Sequence, residues 1–328
     1  MKGTALVTGA TGFTGGHLCR RLIEAGYSVR GLVRDPARCS ELRGWGIDIA
    51  VGDLHDPATL AATTQGIDVV YHVAALFREA NASREDLWQT NVGGTKNILD
   101  ASVSAGVQRF VHCSTVGVHG DIDDPPATEE TRYAPGDHYQ ESKTEGERLV
   151  RDYASEGWMP IVVFRPAGIY GPGDTRFLKL FRAVKSRTFV MLGSGEVLYQ
   201  MIYVDDLIDG ILLCGTVDRA AGNVYILTGE KPVTLNQRVE TIAEVLGAPR
   251  PRLRFPVAPV YVAGWLCERL CRPLRIRPPL YPRRVDFFTK NRAFSIEKAR
   301  SELGFHARTG LRTGLQRTAD WYVKQGLL

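Results

Sequence analysis

The chain has 328 residues, 44% hydrophobic and 23% charged, which is the composition of a globular protein long enough to bury one large core or two intimate ones. Peptide-hormone, fibrous and disulfide-knot architectures are excluded. Net charge is 41 minus 36, or +5, but residues 250–292 hold eleven Arg or Lys against Glu268 and Asp286, which leaves 30 minus 34 for the rest. The longest near-apolar run, 255–266, contains Pro256 and Pro259 and falls short of the ~20 residues a bilayer demands. The stretch from Met1 to Ala10 turns to glycine at once and lacks a signal-peptide plan, so a cytoplasmic location is expected. The six cysteines, at 19, 39, 113, 214, 267 and 271, form no CxxC pair and no cluster with histidine. Neither a metal site nor a disulfide framework is expected, and a reducing compartment suits them.

In chain order, short β-rich runs at 5–8, 28–33, 48–51, 68–72, 109–114 and 161–164 alternate with amphipathic helical stretches. Several runs are apolar throughout, as parallel strands covered on both faces must be, and this alternation predicts an α/β, Rossmann-type doubly wound sheet. After the first run comes Gly9, Thr11, Gly12, Phe13, Thr14 and Gly15, a GxxGxxG arrangement opening a helix that extends to about residue 25. Such glycines let the backbone approach a pyrophosphate, which the helix N-terminus holds with free amides. At the end of the second run Val33 occupies the place where an acid would meet the ribose of NAD. Arg34 follows at once, and it can clamp a 2′-phosphate, which favours NADP(H) over NAD(H). The alternative for Arg34 is a solvated ion pair with Asp35. Asp53, after the third run, is placed either on the adenine amino group or as a helix cap.

Past 165 the rhythm breaks. Pro and Gly crowd 166–173, a helix is predicted at 177–186 and a strand at 198–204, and the remainder reads as helices between proline-rich loops. Residues 1–166 are expected to form the dinucleotide-binding domain, with pieces near 197–227 returning to it. Residues 167–328 form mainly a smaller, discontinuous substrate lobe, with a cleft between the two.

Tyr139 and Lys143 stand at i, i+4 at the start of a helix, about 6 Å apart along its axis. The strand before them ends in Ser114 and Thr115, so hydroxyls emerge at the carboxyl edge of the sheet, where ligands bind in this architecture. A cationic Lys143 favours the phenolate of Tyr139 and draws its pKa down from ~10. Tyr139 can then exchange a proton with an alcohol or carbonyl oxygen.

Taken together, these motifs resemble the extended short-chain dehydrogenase/reductase superfamily over nearly the whole chain. The resemblance is carried by Gly9, Gly12 and Gly15, then Asp53-Leu54, His72-Val73-Ala74-Ala75, Asn91-Val92-Gly93-Gly94-Thr95, Ser114-Thr115, Tyr139 with Lys143, Arg165-Pro166, and Tyr203-Val204-Asp205-Asp206-Leu207. It implies that Tyr139 is the general acid/base and that Lys143 tunes it and binds the nicotinamide ribose. It also implies that Asn91 supports a proton relay and that Leu54, Val73, Ala74, Ala75 and Pro166 line the cofactor. The family's catalytic hydroxyl falls on Thr115, with Ser114 bracing the strand end. Sugar-nucleotide epimerases of the superfamily use an Asn and an Arg on the substrate diphosphate where this chain has Gly168 and Tyr199. The segment from Arg165 to Asp174 is instead similar to dihydroflavonol reductases and 3β-hydroxysteroid dehydrogenases. The implied reaction is hydride transfer between a secondary alcohol or apolar ketone and NADP(H). The alternatives are epimerisation of a sugar nucleotide by transient oxidation, and a noncatalytic NADP-binding regulatory protein. Homodimers are frequent in the superfamily, and 91–104 with 139–153 are the expected interface.

Several remaining features have competing assignments. An apolar helix over 256–271, with Tyr261 and Trp265, can roof an apolar pocket or rest on an anionic membrane surface, and the first is favoured. No nucleic-acid recognition motif accompanies the basic stretch. His72 and His112 are expected to be core histidines. His119 and His138 are placed near the cleft, and the loop 119–137 is expected to border it.

Overall fold

A computed structural model describes residues 2–77, 82–271 and 282–328. Seven strands form one parallel sheet: β1 (Thr4–Thr8), β2 (Ser28–Val33), β3 (Asp48–Val51), β4 (Val69–His72), β5 (Arg109–Cys113), β6 (Ile161–Pro166) and β7 (Val224–Leu227). They lie in the order β7-β6-β5-β4-β1-β2-β3. β4 and β6 are buried at every position, the consequence of helices covering both faces of a parallel sheet. On one face Val7, Val111 and Phe164 pack with Leu18 and Leu22 of helix Phe13–Glu24 and with Leu207 and Ile211 of helix Val204–Thr216. On the other, Leu6, Val70 and Phe110 meet Ile98 and Leu99 of helix Gly94–Ser104 and Val150 of helix His138–Ser155. The winding direction reverses between β1 and β4. A crevice opens there beyond their carboxyl ends, and this is where ligands bind in such sheets.

The last strand of the sheet, β7, comes from well past residue 166 and pairs with β6 from Val224↔Val163 to Leu227↔Pro166. Ile296, Ala299, Leu303 and Phe305 also join the sheet core. A second core, built from helices Leu178–Lys185, Leu235–Val245 and Leu311–Lys324, forms the smaller lobe. Its helix Leu178–Lys185 lies where the sequence predicts one.

The single strand expected at 198–204 is in fact two short strands and a helix start. Leu198–Tyr199 pairs antiparallel with Val233–Thr234, whereas Met201–Tyr203 pairs parallel with Gly168–Tyr170. Gln200 is the break. Its N–H bonds to Arg292 O at 2.8 Å, and its side chain donates to Gly229 O at 2.6 Å and accepts from Phe294 N at 2.7 Å. One residue thus ties three chain segments together, and a local pattern cannot show that switch of partners. Helix Val204–Thr216 begins directly afterwards, and its buried Asp206 accepts from the amides of Arg308 and Thr309 at 3.2 and 3.0 Å, fixing the C-terminal crossing.

Candidate active site

The glycine loop is shaped by close approach. Gly9 has φ +70°, and a Cβ there would stand 2.9 Å from the Ala74 Cα, so the chain beyond β1 lies against the chain beyond β4. A Cβ on Gly15 would come within 2.1 Å of the Gly9 carbonyl oxygen, which seats the helix against the loop. Gly12 caps helix Phe13–Glu24 without a side-chain bond, and no acid occupies the first turn. The first-turn amides are therefore suited to an anion. Thr11, Leu54, Val73, Ala74, Ala75 and Arg34 join Gly9 and Gly12 around a cleft of ≈ 250 Å³. Phe13 lines the adjoining hollow beside Gly12, Thr14 is half-buried in the same helix turn, and buried Pro166 ends β6. Asp53 lines the cleft and accepts from His55 N at 2.9 Å, while the cap of helix Pro57–Thr64 is Asp56. Asp35 is engaged with Ala37 N at 2.9 Å, and Arg34 is exposed with no ion pair among the described residues. This cradle fits a dinucleotide: glycine where a side chain would intrude, free amides for the diphosphate, and a cation at the ribose end.

The catalytic candidates converge on the carboxyl end of β5. Asp137 caps helix His138–Ser155 by accepting from Gln140 N at 2.8 Å, and this sets Tyr139 in the first turn and Lys143 in the second. Lys143 is 2% exposed and donates to Cys113 O, the end of β5, at 2.7 Å. Burial lowers its ammonium from the usual lysine range, and the Glu147 carboxylate opposes that shift. Tyr139 is half-buried, with Phe77 edge-on to its ring at 4.9 Å. Thr115 caps the turn Val116–His119, and its Oγ1 accepts from Gly117 N at 3.0 Å, so its own hydrogen remains available to donate. Ser114 is buried and donates to Glu147.

Asn91 sits in a π-helical turn, Gln89–Gly93. Its amide oxygen accepts from Leu76 N at 2.8 Å, and its amide nitrogen donates to Leu76 O at 3.1 Å and Ser142 Oγ at 3.0 Å. Both ends of the side chain therefore bracket the cofactor-side segment to the helix that carries Tyr139. His138 is exposed and pairs with Glu141 at 3.0 Å, and His119 is buried and meets Arg165 at 3.1 Å. His119 is held by Arg165, which needs partners inside the protein.

The sequence pattern does not single out Glu147. It stands one turn beyond Lys143 on the same helix face, fully buried, and Arg165 of β6 binds it through Nε at 3.0 and 3.2 Å. Tyr133 donates to the same carboxylate at 2.8 Å, and Arg165 also donates to Glu129 O at 2.9 Å. A charged Arg in an otherwise apolar strand was the available signal, because such a cation needs a buried counter-charge. The network fastens loop 119–133 and Ser114 beneath Thr115.

His72 is fully buried, with its nitrogens at 2.8 Å from Thr8 Oγ1 and 3.1 Å from Thr95 Oγ1. Burial, aided by the Lys143 charge, pushes its pKa down to about 3. Burial likewise holds His112 well below its usual range, and neither of its ring nitrogens has a partner among the described residues. The native state therefore stays neutral while the unfolded chain binds protons below pH ~6.5. Stability is expected to fall as pH drops from about 6.5 towards 3, with His72 and His112 both drawing it down across that window. Urea denaturation at pH 7.5, 6.0 and 5.0 checks this. The His112→Phe substitution removes no hydrogen bond and should flatten the slope; an unchanged slope would exclude His112 as a source.

A parallel sheet that reverses at a glycine loop, with a Tyr and a buried Lys set on its carboxyl edge, defines a dinucleotide-dependent oxidoreductase of Rossmann type. Residues 5–227 match the NAD dependent epimerase/dehydratase family, and the chain belongs to it. It is an enzyme of the extended short-chain dehydrogenase/reductase type. The chain is 31% identical to the 3 beta-hydroxysteroid dehydrogenase/Delta 5-->4-isomerase of Mycobacterium tuberculosis over 339 residues, covering 98% of this chain and 90% of that protein. It is 31% identical to the 4-hydroxy-2-methyl-3-oxo-4-farnesyl-3,4-dihydroquinoline-1-oxide ketoreductase of Stigmatella aurantiaca, covering 94% of this chain and 93% of that one. The crystal structure of gox2253 superimposes with a TM-score of 0.85 at 30% identity, covering all of both chains.

Proposed function

We propose that the enzyme interconverts an apolar ketone and the corresponding secondary alcohol with NADP(H), using Tyr139 as general acid/base. The observation that carries the substrate class is a cluster of aromatic rings, Phe177, Tyr199 and Phe287, beside Gly168. Gly168 offers no side chain, and a Cβ built on it would lie 3.9 Å from the Tyr199 ring. That ring packs at 5.7 Å from Phe287, and two guanidinium groups lie over it, Arg238 at 4.8 Å and Arg292 at 5.3 Å. Arg238 is 1% exposed, and Arg292 donates to the carbonyls of Lys290 and Asp286. Arg292 is thus occupied with the ring and the backbone, whereas Arg238 lies over the Phe177 and Tyr199 rings with its Nε and Nη1 buried and without a hydrogen-bond partner among the described residues. The ketoreductase of S. aurantiaca, named for a farnesylated ketone, supports the same substrate class.

When bound, the nicotinamide supplies or accepts a hydride at its C4 carbon. Tyr139 gives its proton to the ketone oxygen as that oxygen becomes the alcohol, and takes it back in the reverse direction. Thr115 donates a hydrogen bond to the same oxygen. Buried Lys143, fixed on the Cys113 carbonyl, favours the phenolate left on Tyr139 through its positive charge.

The test is reduction of a panel of hydrophobic ketones and hydroxysteroids alongside UDP-sugars, followed by nicotinamide absorbance and product stereochemistry. Ketone-dependent oxidation of NADPH is expected. Inversion of a UDP-sugar without net cofactor turnover would replace this function with epimerisation. Arg34 carries the cofactor preference: Arg34→Ser is expected to weaken NADPH by about 10- to 100-fold, the cost of a lost charge-assisted bond, and to leave NADH unchanged. Fluorescence titration measures both, and equal weakening of the two cofactors would remove Arg34 from the 2′-phosphate.

A further inference from the structure

Helix Val257–Cys271 forms where an apolar helix is predicted, and its large apolar side chains are exposed. Residues advance about 100° per position around a helix. Val257, Val260, Gly264, Cys267 and Cys271 therefore share one narrow stripe, and these are its buried or half-buried positions. The opposite face carries Tyr261, Val262, Trp265, Leu266 and Leu270, which are 47–69% exposed. Leu253 and Phe255, beside and within the short strand Arg254–Phe255 that leads into the helix, are 62% and 49% exposed. An apolar helix of this kind is normally enclosed by protein or lipid, and a continuous exposed patch on this scale marks an interaction surface. At 15 residues the helix is about 22 Å long, too short to cross a hydrocarbon core of ~30 Å.

We propose that this face docks in the plane of an anionic lipid bilayer surface, with Trp265, Leu266 and Leu270 entering the headgroup boundary. Charge selects this occupant. Arg252 is exposed without an ion pair among the described residues, Arg254 donates to backbone carbonyls and an amide, and Arg269 lies over the Trp265 ring at 5.3 Å. No carboxylate among the described residues pairs with these three, and Glu268 is the one acid in helix Val257–Cys271. Exposed Trp and Tyr beside arginines suit the lipid–water boundary, where the rings take the apolar side and the guanidinium groups meet anionic headgroups. The docked face lies in the smaller lobe, away from the glycine loop, so binding does not depend on the reaction catalysed.

The experiment is flotation of the full chain with vesicles of phosphatidylcholine alone and with 30 mol% phosphatidylglycerol, at low and high salt. The protein is expected to float with the anionic vesicles, at least about tenfold more than with the neutral ones, and to be released by salt. Trp265→Asp with Leu266→Asp should abolish flotation while the thermal unfolding midpoint stays in place, because both side chains are exposed. Arg252→Glu with Arg269→Glu should weaken it separately. Absence from both vesicle fractions would overturn the proposal, as would flotation that survives the two aspartates. A concentration-dependent dimer dissociated by those aspartates, with no vesicle binding, would assign the face to a second copy of the chain instead.

Discussion

Tyr139→Phe is expected to reduce kcat for ketone reduction by about 10²- to 10⁴-fold, the usual contribution of a positioned general acid, with little change in cofactor affinity. The substitution removes only the hydroxyl, and the ring keeps its edge-on contact with Phe77 at 4.9 Å, so the cleft retains its shape. Lys143→Met should cost a similar factor by a different route. Its ammonium donates to Cys113 O at 2.7 Å inside a fully enclosed site, and methionine leaves both that carbonyl and the developing phenolate without a cation. The two variants differ in cofactor binding: Lys143→Met should also weaken it, because the ammonium is assigned to the nicotinamide ribose. Steady-state rates with a responsive ketone, paired with NADPH titrations, separate them. Full activity in Tyr139→Phe would remove Tyr139 from proton transfer.

The second large effect concerns stability. Arg165→Met is expected to destabilise the fold by about 3–5 kcal/mol, since it strands the Glu147 carboxylate in a site with no exposure. Burial by itself would raise the Glu147 pKa, but the bonds from Arg165, Ser114 and Tyr133 outweigh it and hold the carboxyl below its usual range. Without Arg165 that balance reverses and Glu147 takes up a proton. The loss should therefore be greatest at neutral pH and smaller in acid. The double substitution Arg165→Met with Glu147→Leu should recover much of the stability, because an apolar pair leaves no uncompensated charge. Urea unfolding of both single variants and the double variant measures the coupling. Strictly additive losses would show that the pair is not an interacting unit.

Much of the site was legible in the sequence because its chemistry depends on local spacing. A glycine triplet between a strand and a helix has one physical purpose at that place, and Tyr139 with Lys143 at i, i+4 must share a helix face. The strands of the sheet were legible for the same reason, since runs apolar on both faces fit only a covered parallel sheet. Gln200 was not legible: it looks like any residue within a β-rich run, yet it divides that run between two different strand partners. Glu147 was missed, and the burial of His119 was not legible, because both are set by Arg165, which lies 18 and 46 residues away in the chain.

By itself the sequence determined the doubly wound sheet, the glycine cradle, the Tyr–Lys helix and the position of Arg34 after the second strand. Periodicity and turn chemistry operate over a few residues, and these features are a few residues long. Only the tertiary structure decided which groups those features meet. It brought Ala74 against Gly9, closed the sheet with a strand from residues 224–227, and buried Glu147 against Arg165. It also turned the apolar face of helix Val257–Cys271 outward. Hydrophobic pattern states that a side chain seeks cover, but the cover itself comes from distant segments of chain, and on this helix only a narrow stripe receives it.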